Sequence, residues 1–162
     1  MAFNRAKNNK RRTNGHFALL PYAVISSPNF RLMSGFAVKL LIQMMAQIRF
    51  RKGGETRNNG DLCVSWTLMK DQGWRSKDTL YRAREELLYY GFIEQTRQGM
   101  AMVKGKPYLY ALTFLAIDEC GGKLDVPETA TPSGKCKEEK KRYKPPDKKN
   151  RQPSTPPTTI DR

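Results

Sequence analysis

One histidine and three cysteines are the only imidazole and thiol ligands for zinc among 162 residues. Cys63, Cys120 and Cys136 stand far apart, no C-x-x-C pair occurs, and His16 is remote from all three. A structural zinc site needs four ligands at short spacings, so the pattern excludes a zinc finger and gives no disulfide framework. Free thiols suit a reducing compartment, and the expected location is cytoplasmic. Long apolar runs are also missing. The longest, Phe36 to Ile48, is interrupted by Lys39, Gln43 and Gln47 and is too short to cross a bilayer. Phe17 to Ile25 imitates a leader but contains Pro21 and has no A-x-A site after it, so no leader is expected. Acid is scarce: 15 Asp+Glu stand against 30 Lys+Arg, a net charge of +15. Such a surplus favours polyanionic partners over acidic ones.

Catalytic machinery is equally thin. Gly99 to Lys106 (GMAMVKGK) faintly resembles a phosphate-binding loop. It has five residues between its glycines instead of four, and Pro107 stands where Ser or Thr would hold magnesium. His16 has no nucleophile or base arranged around it in sequence, and the acids form no D-x-D cluster. An enzyme is not expected, nor is a cofactor or a bound metal.

What is present divides into three stretches. Residues 1–16 form a basic arm with Arg5, Lys7, Lys10, Arg11 and Arg12. Residues 17–118 carry the periodic apolar patterns of a domain. Residues 119–162 hold seven of the ten prolines, many Lys, Ser and Thr, and one aromatic, Tyr143. A segment of that composition buries too little apolar surface to offset its ordering entropy, so a disordered tail is expected there. The net charges are +5 over residues 1–29, +6 over 30–118 and +4 over 119–162.

Within the domain, Ser34 is read as a helix N-cap. Ala37, Leu40, Leu41, Met44, Met45 and Ile48 then recur along one helical face. Arg49 to Asp61 is a loop, and Leu62-Cys63-Val64 is a short strand. Ser65 caps a helix from Trp66 to about Gln72, which Gly73 ends. Trp74 and Arg75 form the turn, with Trp74 expected to be partly exposed. Ser76 caps a second helix, Lys77 to Tyr90, ended by Gly91; its buried stripe is Leu80, Ala83 and Leu87, with Leu88 on the edge. Phe92 to Arg97 and Tyr108 to Phe114 read as strands around a glycine-bearing loop.

The order is helix, strand, helix, tight turn, helix, then a hairpin. Two short helices joined by a glycine-containing turn are the helix-turn-helix signature, and the hairpin adds a wing. The expectation is an α+β fold, a winged helix-turn-helix. The stretch GWRSKDTLYRAREELLYYGFIEQTRQG, followed by LYALTF, resembles the winged-helix domains of bacterial and phage DNA-binding proteins. It is most similar to small proteins related to the N-terminal domain of the phage replication O protein. The resemblance covers residues 30–118 and implies a bacterial, phage or mobile-element protein acting in transcription or DNA replication.

In that arrangement the second helix enters a major groove through its N-terminal residues. The candidate DNA-binding residues are Arg75 and Ser76 in the turn and Lys77, Asp78, Tyr81 and Arg82 on the helix. Arg75 or Arg82 can form bidentate bonds to guanine, Asp78 can accept from a cytosine amine, and Tyr81 can bond to the backbone. Arg97, Lys104 and Lys106 on the wing, with no acid among them, suit phosphate contact. The competing reading of both groups is an ordinary solvated charged surface. The expected partner is double-stranded DNA, with the tail offered to replication or transcription proteins and no membrane contact. The alternative is a protein–protein adaptor that uses the winged helix and the tail as docking surfaces. The sequence leaves the oligomeric state open, a dimer included.

Overall fold

Four serines punctuate the helices. In the computed structural model, which describes residues 18–51, 55–100, 103 and 105–146, each sits in extended backbone and accepts a hydrogen bond from the amide three residues on. Ser27 accepts from Phe30, Ser34 from Ala37, Ser65 from Leu68 and Ser76 from Thr79. Each such cap is worth about 1 kcal/mol of helix stability.

The helices they open are α2 (Pro28–Leu32), α3 (Gly35–Met45), α4 (Trp66–Asp71) and α5 (Lys77–Tyr89), preceded by a single turn, α1 (Tyr22–Ile25). The strands are β1 (Leu62–Cys63), β2 (Ile93–Arg97) and β3 (Leu109–Leu112). They make one antiparallel sheet in the order β1-β3-β2. Leu62 lies opposite Tyr110 and Ile93 opposite Leu112, with a bulge between Gln95 and Arg97. The fold is α+β, a small sheet against packed helices. α1 and α2 have no counterpart among the expected elements; both are too short to show a period.

The apolar stripes meet as their spacing demands. Leu40, Leu41 and Met44 of α3 face Leu80, Ala83 and Leu87 of α5, and Phe92, Ile93, Tyr110 and Leu112 close the core from the sheet. One member of the α5 stripe is not apolar. Glu86 is buried, and its carboxylate accepts from the Ser34 amide at 2.7 Å and the Ser34 hydroxyl at 2.6 Å. It thereby places a negative charge at the N-terminus of α3, the favourable end of that helix dipole.

Two expectations are corrected. Trp74 is not partly exposed: it is 4% exposed and lies in the core. Its amide donates to Met69 O, which turns the ring back toward α3, where the indole N–H donates to Gln43 Oε1 at 2.6 Å. Lys39 holds the same turn from outside, donating to Gly73 O with its ammonium 5.1 Å from the Trp74 ring centre.

The second correction concerns the tail. Residues 119–146 are not a free segment but a strap laid across the domain; residues 147–162, like the arm 1–16, lie outside the described residues. The strap passes the outer edge of β2, where Asp125 N donates to Thr96 O, and then Gly134 N donates to Thr113 O. Glu94 on β2 accepts from Ser133 and from the Lys135 ammonium. Cys136, 2% exposed, enters the core from the middle of a short turn of 3-10 helix, Lys135–Lys137. Asn29, fully buried on α2, binds the strap most tightly. Its amide group faces Tyr90 O, Cys136 O and Glu138 O, and its oxygen accepts from Lys140 N. The strap has little periodic structure beyond that turn, and several of its backbone polar groups bond to the domain instead: Asp125 N, Thr129 N and Gly134 N to its carbonyls and Lys140 N to Asn29.

Gly91 shows how closely the two approach. Its φ of +72° ends α5 in the left-handed conformation, and a Cβ there would lie 2.8 Å from the Lys135 backbone. Only glycine meets both demands without strain.

Candidate nucleic-acid interface

The Ser76 cap and the Gly73 turn present the N-terminal half of α5 to solvent. Arg75, Ser76 and Lys77 are exposed, and Tyr81 is exposed one turn further on. Arg75 makes no hydrogen bond or ion pair among the described residues, so its guanidinium remains available to an outside acceptor. The Lys77 ammonium lies 5.8 Å from the Trp66 ring centre. The helix therefore has an outward face centred near Asp78, Tyr81 and Glu85, set opposite the buried stripe.

Much of the charge on this face is already matched. Arg82 pairs with Asp78 one turn earlier at 3.0 Å, both partners about 40% exposed. An exposed pair of this spacing contributes a few tenths of a kcal/mol and exchanges partners easily. Arg84, absent from the sequence-based candidates, pairs with Glu85 at 2.8 Å and stacks over Tyr81 with its guanidinium 4.6 Å from the ring centre. It lines a small cleft with Val64, Ser65, Pro107, Tyr108 and Tyr110, which joins α5 to the base of the hairpin. Burial pushes the Tyr110 phenol up to about 12, opposed by the Arg84 charge beside it.

The hairpin divides the wing candidates. Arg97 donates twice to Pro107 O, at 2.9 and 3.3 Å, so it braces the base of the hairpin and does not stand at its tip. Lys106 is exposed near the tip, where its carbonyl accepts from Met100 N. Lys104 lies outside the described residues. Gly99 is required at this base, because a Cβ there would clash with the backbone and ring of Tyr108.

No protein-family model, curated protein or solved structure matches the chain. Among the described residues no group of acids, cysteines and histidine could hold a metal ion, and no helix is long and apolar enough to cross a membrane. A cleft of about 690 Å³ lies between the 49–61 loop and the start of the strap. It sets Arg49, Arg57 and Lys123 against Asp61, Asp118 and Glu119, a lining of mixed sign without a focused charge. Within that loop Asn58 serves the backbone, accepting from Arg49 N and donating to Gln47 O.

Cys120 stands at the edge of this cleft with a φ of +55°. Burial, with Asp61 and Asp118 nearby, pushes its thiol up to about 11, which makes it a poor nucleophile at neutral pH.

Glu86 and the strap were missed by sequence reasoning for different reasons. Glu86 did carry a signal, since a carboxylate between Ala83 and Leu87 falls inside the apolar stripe. The cations of the strap carried none, because nothing in their spacing says which surface they lie on.

Proposed function

We propose that the chain is a winged helix-turn-helix protein that binds double-stranded DNA in a sequence-specific manner. It would act as a transcriptional regulator or a replication-initiation accessory of a bacterial, phage or mobile-element system. The single observation that carries this reading is the exposed, capped N-terminal half of α5. It presents Arg75, in no ion pair among the described residues, and the exposed Lys77, whose ammonium lies near the Trp66 ring, beside a hairpin with Lys106 exposed near its tip. From α3 onward the order helix, strand, two helices and a hairpin agrees with the one a winged helix would need, and the sequence resemblance points the same way. Arg75 and the exchangeable Arg82 are suited to base edges, and Lys77, Lys106 and the α5 N-terminus to phosphates.

The test is selection of duplexes from a random pool, followed by a salt titration on the enriched site. Contact with about six phosphates gives a log–log salt slope near −5. Arg75→Ala is expected to weaken the enriched site more than random duplex, while Lys106→Ala weakens both alike. A pool without enrichment, or a flat salt response, refutes the proposal.

A further inference from the structure

The strap runs beside α5 in the opposite direction. Lys140 lies over the Tyr89 ring at the C-terminal end of the helix, its ammonium 5.6 Å from the ring centre. Tyr143 packs against Tyr89, and its amide donates to the Tyr90 hydroxyl at 2.9 Å. Arg142, Tyr143 and Pro145 then face Asp78, Thr79 and Arg82 across a cleft of about 440 Å³. From Tyr89 back to Asp78 is roughly 16 Å of helix, at ~1.5 Å per residue. The strap thus follows most of α5 toward its N-terminus.

Its charge is what the helix lacks. The surface of α5 sets Lys77, Arg82 and Arg84 against Asp78 and Glu85, and two of those cations are paired on the helix itself. Residues 135–144 carry a net charge of +4. Lys141, Arg142 and Lys144 in that stretch are exposed, and none of the three is in an ion pair among the described residues. A helix with its side chains is about 10–12 Å across and nearly fills a major groove about 12 Å wide. Whatever lies alongside such a helix meets the phosphate wall of the groove.

We infer that the strap is a second phosphate-binding element, in which Lys141, Arg142 and Lys144 contact the DNA backbone flanking the groove that α5 enters. The inference rests on the DNA-binding reading and adds a site to it. α5 selects the sequence, and the strap supplies a large part of the sequence-independent affinity. The Asn29 and Tyr90 bonds hold the strap in place before DNA arrives, so less ordering entropy opposes its contacts.

The experiment compares the full chain with its Lys141→Gln/Arg142→Gln/Lys144→Gln variant on a 20-base-pair random-sequence duplex, over a range of salt. The three side chains are exposed, so the melting temperature should not move. The salt slope is expected to become shallower by about 2 to 3, one counterion contribution of ~0.9 per lost contact. Arg75→Ala, measured alongside on the selected site, separates the two ideas. If the triple variant keeps the parental slope while Arg75→Ala loses site preference, the strap inference fails and the DNA-binding reading stands. If the parent binds neither duplex, both fail. If the triple variant loses binding to phosphatidylserine vesicles but keeps the duplex slope, the strap serves an anionic membrane and the inference is overturned.

Discussion

Replacing Asn29 probes the attachment of the strap with one side chain. The residue is fully buried and takes part in four hydrogen bonds, to Tyr90 O, Cys136 O and Glu138 O and from Lys140 N. An amide has two hydrogens for three carbonyls, so the set counts as three bonds' worth. At a net ~1 kcal/mol each, Asn29→Ala is expected to cost about 3 kcal/mol, or roughly 10 °C in melting temperature for a domain of this size. The strap should also become a better protease substrate, with trypsin cutting after Lys140, Lys141 and Arg142 well before the domain is digested. Asn29→Asp sharpens the test because it keeps the shape and inverts the chemistry. A carboxylate facing three carbonyls is disfavoured, so the folded-state pKa of the new acid rises above its unfolded value of about 3.9. The penalty from the new acid is then absent below about pH 4 and grows as pH rises toward the raised value, so the stability deficit of the variant against the parent at the same pH is smallest near pH 4. At pH 7 it should be less stable than Asn29→Ala. Urea melts at pH 4 and pH 7 with timed trypsin digestion read all of this. Parental stability and parental digestion in Asn29→Ala would show that the amide does not hold the strap.

Three further outcomes follow from buried and half-buried groups. Glu86→Ala leaves the Ser34 amide and hydroxyl without their carboxylate and should cost about 2 kcal/mol in a urea melt, whereas Glu86→Gln, which keeps an acceptor, should cost less. The Tyr110 phenol, pushed up to about 12 by burial, is raised above the ordinary value near 10. Its contribution is therefore intact below pH 10 and lost as pH climbs toward 12, and Tyr110→Phe should flatten that part of the stability–pH curve. Cys120, with its thiol raised to about 11, should react with iodoacetamide at pH 7.5 far more slowly than a free thiol; reaction at the free-thiol rate, mapped to Cys120, would contradict the burial.

The legible parts of the sequence were those with a period or a punctuation mark. Ser34, Ser65 and Ser76 each cap the helix they were expected to cap, and Gly73 and Gly91 both take positive φ. The stripes Ala37–Met45 and Leu80–Leu87 are buried because helical spacing leaves them no other common direction. Trp74 was misjudged because a turn position says nothing about where a ring swings; the Met69 O bond and Gln43 decide it. The strap was misjudged because composition averages over a segment. Cys136 and Tyr143 are isolated apolar residues in a polar stretch, yet each finds a prepared slot; Asn29 holds the backbone from Cys136 to Lys140, while just before it Gly134 N donates to Thr113 O and Glu94 takes the Ser133 and Lys135 side chains. On the candidate interface, sequence could name the bases but not their partners. The Arg82–Asp78 pair and the turn of Arg97 back onto Pro107 O are matters of side-chain geometry.

The strap also gives the domain a history. Synthesis runs from the N-terminus, so α3, α5 and the sheet are made before the residues that cover the outer side of β2. Until Asp125 and Lys135 arrive, that strand is an unguarded border of the kind that recruits other chains. The newborn domain is thus at its most adhesive in the interval between the pairing of its strands and the docking of the strap.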